Sequence, residues 1–257
     1  ARRIVGEFGP ADLTAANNVL AHVPDINDFV AGFAELLSEH GVATFEFPSL
    51  LRLVQDRQFD TIYHEHFSYL SLTAVETIFT ANGLAVFDVE DLPTHGGSLR
   101  VYCERMDAAT RPISDRLYAA REREKLAGIA GSAFYAGLQA DAEAVKDDLL
   151  RFLLDAKREG RRIAGYGAAA KGNTLLNFAG VRSDLLPFVV DRSHAKQGKY
   201  LPGSRIPIVG EDLIVSFRPD YVLVLPWNLR EEIANQLDYI REWGGRFVVA
   251  VPRMEVF

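Results

Sequence analysis

The sequence predicts an α/β protein built as two sheet-containing units with a helical zone between them. Three observations predict it. Apolar runs of strand length alternate with stretches of helical spacing from Ala11 onward. Residues 107–160 are charged, Ala-rich and helical throughout. A glycine-rich turn after Arg161–Tyr166 then opens a second alternation.

The elements follow in order. "ADLTAANN" (Ala11–Asn18) reads as a short buried strand ending in a turn-former, and "INDFVAGFAELLSEHG" carries Phe29, Val30, Phe33, Leu36 and Leu37 at helical spacing up to Gly41. "GVATFEF" is the next strand. "SLTAVETIFTANG" has Ser71 or Thr73 as its N-cap and stops at Asn82-Gly83. "LAVFDVE" and "SLRVYCER", joined by "DLPTHGG", read as an antiparallel pair at the end of an otherwise parallel sheet. The predicted units are 1–106, a helical connection over 107–160, and 161–257, which opens on the strand Arg161–Tyr166, the turn and a helix over Asn173–Phe178. "LLPFVVD" ending at Asp191, "DYVLVLPWN", a helix over Leu229–Trp243 and "RFVVAVP" complete a small doubly wound sheet.

Composition narrows the function. At 257 residues and 48% hydrophobic the chain can bury a proper core, and it has no apolar run long enough for a membrane span. A net charge of −7 argues against nonspecific nucleic-acid binding, but a local basic pocket could still hold a small anionic ligand. One cysteine, Cys103, excludes a disulfide framework and a four-cysteine metal site, which fits a reducing cytoplasm. The chain lacks an initiator Met and enters almost directly into a strand pattern, as a fragment would.

Two stretches carry chemistry. "DTIYHEHFSYLS" (Asp60–Ser71) follows a strand's C-terminal end, where open α/β sheets place their sites, and "NNVLAH" ending in His22 follows the neighbouring strand. A metal reading of His64-Glu65-His66 fails on ligand count. An acid–base reading fits better, since an ordinary imidazole titrates near neutrality and Glu65 or a tyrosine can orient it. Gly165-Tyr-Gly167-Ala168-Ala-Ala170 matches the G-x-G-x-x-A form of a phosphate-binding turn, with Lys171 just beyond it and Asp191 about twenty residues on. By pattern alone NAD is the default ligand of such a turn, and an NAD-dependent oxidoreductase or a noncatalytic nucleotide-sugar-binding module remain competing readings.

"NNVLAHVPD", "YHEHFSYLS", "THGGSLRVY" and "GYGAAAKGN", in that order, resemble the S-adenosylmethionine-dependent C-methyltransferases that act on nucleotide-linked 4-keto deoxysugars. The resemblance runs from about residue 10 to the end. It implies a partial class I methyltransferase sheet, comprising its last four strands, then a helical connection and a C-terminal Rossmann-like domain. The family's N-terminal zinc module and Gly-rich cofactor loop have no counterpart in this chain, which resembles a C-terminal portion of such an enzyme.

The resemblance also implies roles. His66 would be the base that removes the proton next to the keto group, with Tyr63, Glu65 and His22 as orienting or charge-stabilising groups. Asn17 and Asn18 would touch S-adenosylmethionine. His95 and Ser98 would line the sugar pocket. Gly167, Ala168, Lys171, Gly172 and Asn173 would hold a dTDP-type diphosphate, with Tyr200 near the nucleoside.

Overall fold

A computed structural model describes all 257 residues, which divide into two compact units. The first comprises Ala1–Gln55 and His64–Gly137, the second Asp56–Tyr63 and Leu138–Phe257.

In the first unit the elements are α1 (Arg2–Phe8), β1 (Ala11–Asn17), α2 (Ile26–Leu36), β2 (Leu37–Pro48), α3 (Leu50–Gln55), α4 (Leu72–Ala81), β3 (Leu84–Leu92), β4 (Ser98–Arg105) and α5 (Asp115–Ala127). The sheet order is β1-β2-β4-β3, with β1 and β2 parallel and β4 antiparallel to both its neighbours. This is the parallel pair closed by a hairpin that the sequence predicts. Phe45 on β2 is fully buried, with Phe33 of α2 and Phe79 of α4 packed on it at centroid distances of 4.7 and 4.6 Å. The fully buried Phe45 and Phe79 rings each contribute roughly 2–3 kcal/mol by leaving water.

Helix α2 is shorter than its apolar spacing predicts. It ends at Leu36, and Leu37 is already paired with Ala11 of β1. The helical period runs on through "LLSEHG", but strand pairing takes it over, with Ser38 Oγ donating to Asp12. Gly41 is therefore a strand glycine rather than a helix stop. It lies beside the register shift between Ala11 and Leu13, where a Cβ would stand 2.7 Å from the Ala11 carbonyl oxygen. Ser71 caps α4 by accepting from the Ala74 N–H, so Thr73 is not the N-cap.

The two helices of the predicted helical connection bury their apolar residues in different cores. Leu117 and Ala120 of α5 pack in the first unit. Helix α6 (Leu138–Arg158) places Ala142, Val145, Leu149, Leu153 and Ala156 in the second.

The second unit continues with β5 (Ile163–Tyr166), α7 (Ala170–Phe178), β6 (Val189–Val190), β7 (Ile208–Val209), α8 (Asp212–Phe217), β8 (Tyr221–Val224), α9 (Arg230–Gln236), β9 (Arg246–Val249) and β10 (Glu255–Val256). The sheet order is β10-β9-β8-β5-β6-β7, parallel throughout except for β10. From β5 the chain runs outward to β6 and β7, then returns to the other side for β8. The topological switch point is therefore between β5 and β8, and open parallel sheets hold ligands at the C-terminal ends of such strands. The segment 56–63 joins this unit through Phe59, which is buried in its core with Phe178 at 5.1 Å.

Some elements differ from expectation. Helix α7 begins at Ala170, three residues earlier than predicted. "LLPFVVD" yields only a two-residue strand, and the predicted helix over Leu229–Trp243 splits into α9 and a 3-10 turn over Asp238–Trp243.

Candidate functional site

The histidine cluster of the first unit forms where the sequence after β1 meets the aromatic loop. Leu20–His22 make one 3-10 turn with Leu20 and Ala21 buried, which leaves His22 at the surface of the turn. The loop docks on that turn through its backbone, Phe67 N–H donating to the Ala21 carbonyl at 2.8 Å. His22 Nδ1 lies 2.8 Å from the Glu65 carbonyl oxygen. A carbonyl only accepts, so Nδ1 carries the proton and Nε2 is left as the basic or reacting nitrogen. The His66 ring packs edge-on against His22 at 4.8 Å and against Tyr69 at 5.6 Å. Glu65 thus serves His22 through its main chain, whereas its exposed carboxylate was the group expected to orient a histidine. His64 is exposed, and nowhere do three His, Cys, Asp or Glu side chains group as metal ligands would.

At the same C-terminal rim a second cluster forms around Glu46. Its buried carboxylate accepts from Thr94 Oγ1 at 2.9 Å and from Arg100 at 2.7 Å. Burial alone would raise this carboxyl, but the bonds from Arg100 and Thr94 outweigh it and hold it below the usual carboxylate range. Asn18 follows β1 in the left-handed region (φ 54°), its N–H bonded to the Glu46 carbonyl at 2.8 Å. Its side-chain Oδ1 is buried without a donor, the condition that a bound amine or hydroxyl would relieve. Asn17 is exposed beside it. The residues present therefore fit part of a polar cofactor. His95 is exposed in the left-handed region (φ 57°) at the turn before β4. Ser98 is buried and donates its hydroxyl to the Thr94 carbonyl at 3.0 Å, so it holds the turn and has no donor left for a sugar.

In the second unit the glycine-rich turn differs from a dinucleotide site. Gly167 N–H is spent on the Val190 carbonyl, and Ala168 N–H donates to Asp191 Oδ2 at 2.8 Å. Asp191 also accepts from Ser193 N–H and from Lys196 Nζ at 3.0 Å. The acid that would meet a ribose in the NAD reading is consumed inside the turn, and the Ala168 N–H expected to meet a phosphate is consumed with it. The glycines answer to packing. Gly167 has φ +91° with Pro226 2.5 Å from any added Cβ, and Gly172 lies 2.6 Å on the same measure from Leu225.

What remains for an anion is the N-terminus of α7. No side chain caps it, and the N–H groups of Ala170, Lys171 and Gly172 have no partner one turn back within the helix. Lys171 is half-buried beside them. Its ammonium donates to Asn228 Oδ1 at 2.6 Å and sits 4.4 Å over the Trp227 ring. Burial lowers its pKa, with Asp60 opposing that shift. Asn173 carries a buried Oδ1 without a donor, and Tyr200 is exposed next to Leu201. Tyr63 falls in the segment that the second unit claims, while His64–His66 fall in the first.

Sequence reasoning missed Glu46, Asp60, Trp227 and Asn228. The signals were a lone acid inside "VATFEFP", an acid opening "DTIYHEH", and "PWN" at the end of a buried strand.

A sheet ending in an antiparallel hairpin with histidines at its rim, followed by a doubly wound sheet with an uncapped helix N-terminus beside Lys171, defines a two-unit α/β protein with a candidate site on each unit. More particularly, residues 93–252 match the C-methyltransferase C-terminal domain family, and the chain belongs to that family. It is 37% identical over 255 residues to the C-methyltransferase NovU of Streptomyces niveus, a match that covers 98% of this chain and 60% of that relative's length. Among solved structures it is similar to magnesium protoporphyrin IX methyltransferase of Synechocystis PCC 6803 with bound SAH, at TM-score 0.30, 14% identity, 37% of this chain and 45% of that one. M1.HpyAVI with SAM gives 0.25 at 13% identity, over 44% of this chain and 57% of that one. Both overlaps are confined to a minority of the chain.

Proposed function

We propose that this chain is the substrate-handling portion of an S-adenosylmethionine-dependent C-methyltransferase acting on a nucleotide-linked, dTDP-type 4-keto deoxysugar. His66 is the base for the proton on the carbon next to the keto group. His22, with its Nδ1 proton anchored on the Glu65 carbonyl, supports the imidazolium that forms or meets the developing enolate oxygen. Tyr63 and Glu65 are the remaining orienting groups. Asn17 and Asn18 hold part of S-adenosylmethionine, which supplies an electrophilic methyl group when bound. In the second unit Lys171, with Gly172 and Asn173 at the start of α7, holds the diphosphate, and Tyr200 serves the nucleoside.

The observation that carries this reading is the paired imidazoles at 4.8 Å, one with its tautomer set by a main-chain carbonyl. Such a pair sets one imidazole beside a second whose protonated nitrogen is fixed, the arrangement that acid–base work on a carbon acid requires. The test is turnover of a full-length version carrying His66→Ala. A loss of roughly 10²–10⁴-fold in kcat with sugar-nucleotide binding retained is expected. Unchanged turnover would remove His66 as the base.

A further inference from the structure

At the switch point of the second sheet lies a charged side chain that the proposed chemistry does not use. Asp60 is fully buried (0% exposed) on a 3-10 turn over Phe59–Thr61, packed against α7. Its Oδ2 accepts from the Trp227 indole N–H at 2.8 Å, and its Oδ1 has no partner. A bare, buried carboxylate oxygen is costly unless a charge nearby compensates it. The compensating charge is the Lys171 ammonium, over the face of the same indole. Trp227 thus donates to Asp60 at its edge and carries Lys171 on its face, while Asn228, next in the chain, accepts a hydrogen bond from the ammonium.

We propose that Asp60 is a positioning residue for Lys171: its buried carboxylate, tied to the Trp227 indole, is the counter-ion that sets the affinity of the α7 N-terminus for a diphosphate. The inference rests on the reading that Lys171 holds that diphosphate. The carboxylate does two opposing things. It keeps the half-buried ammonium protonated against desolvation, and it places a negative charge beside the incoming anion.

The groups around Asp60 make its effect separable. From α7 it faces Lys171 and from the 227–229 turn the neutral Trp227, while Asn228 meets Lys171. On its own segment Arg57 is paired at the surface with Asp141 of α6, and Lys146 of α6 lies 5.9 Å from the Phe178 ring. On the 193–197 turn Lys196 is bound to Asp191 and the Ala168 carbonyl, and the exposed His194 meets Gln197. Burial pushes the Asp60 carboxyl up to about 6, so it gains its proton within an accessible range.

The experiment is calorimetric titration of the full chain with dTDP-glucose, whose diphosphate stays ionised throughout, between about pH 5.5 and 9. Wild type, Asp60→Asn and Lys171→Gln are compared, asparagine keeping an oxygen for the Trp227 N–H. In wild type, affinity rises as pH falls through about 6. In Asp60→Asn that acid limb is absent, binding near pH 7 is roughly three- to tenfold tighter, and the alkaline loss sets in at lower pH because Lys171 has lost its counter-ion. General damage to the fold would weaken binding at every pH and could not produce this crossing.

No binding by wild type at any pH would overturn both the diphosphate reading and this inference. Binding by wild type that is lost in Lys171→Gln, with Asp60→Asn tracing the wild-type profile, would overturn this inference alone. If Asp60→Asn fails to fold, His194→Gln decides. A persisting acid limb supports Asp60 as its source, and a flat one overturns the proposal.

Discussion

Glu124 places a buried carboxylate from α5 on the first turn of α4. It is 2% exposed, and it accepts from Leu72 N–H at 2.7 Å, Thr73 N–H at 2.8 Å and Thr73 Oγ1 at 2.6 Å. Helix α4 starts directly after the loop that carries His66, so this carboxylate fixes the downstream end of that loop. Glu124→Ala removes the acceptor for three donors. Leu72 is fully buried, and its orphaned N–H costs about 1–3 kcal/mol, while the partly buried Thr73 groups regain water and cost about 1 kcal/mol together. The expected loss is therefore about 3 kcal/mol, or roughly 10–15 °C in Tm for a unit of this size. Glu124→Gln, which keeps one acceptor oxygen, should lose about half as much. Glu122→Ala on the same helix, which removes an exposed pair with Lys125, should lose under about 0.5 kcal/mol. Urea and thermal denaturation followed by circular dichroism measure all three. A Glu124→Ala loss no larger than that of Glu122→Ala would refute the capping argument.

Two further outcomes follow from the second unit. The Asp60 carboxyl is raised in the fold to about 6 from an ordinary value of 3.8, so the folded state binds the extra proton. Its ionisation therefore weighs against folding above about pH 6, and that burden fades as pH falls toward the ordinary value. Asp60→Asn should then be more stable than wild type near pH 7.5 by up to about 3 kcal/mol, the gap closing by about pH 4 in urea titrations; a gap independent of pH would contradict it. Gly167→Ala combines a positive φ with a Cβ 2.5 Å from Pro226, and should cost about 2–4 kcal/mol in thermal denaturation whether or not nucleotide is present. A stable Gly167→Ala chain would return that glycine to a ligand role.

Much of the first unit was legible because its elements carry their period and their stops locally. The α4 cap at Ser71 and the β3–β4 hairpin are written within a few residues of where they act. The end of α2 was not, since Leu36–His40 keep the helical period and only the pairing of Leu37 with Ala11 ends the helix. The allotment of α5 and α6 to different units was hidden for a similar reason: the apolar residues of a helix declare that they will be buried, not which core will bury them. The strand β6 is two residues long, too short for any periodicity to mark.

The candidate site divides along the same line. "YHEH" and the glycine-rich turn announce themselves by residue type, but the details that decide their chemistry are long-range. The Nδ1 proton of His22 depends on a carbonyl 43 residues away, and Asp60 meets its indole across 167 residues. The turn matches a dinucleotide pattern, but Gly165 and Gly167 are required by Val189 and Pro226, and Asp191 is spent on the turn itself.

Removal of a proton from carbon by His66 is the step on which the proposed function turns. It is tested most directly by incubating a full-length version with the dTDP-linked 4-keto sugar in D2O and following deuterium entry next to the keto group by NMR. Entry well above the uncatalysed rate is expected, reduced to that rate in His66→Ala while the sugar nucleotide still binds. Equal entry with and without the His66 imidazole would contradict it.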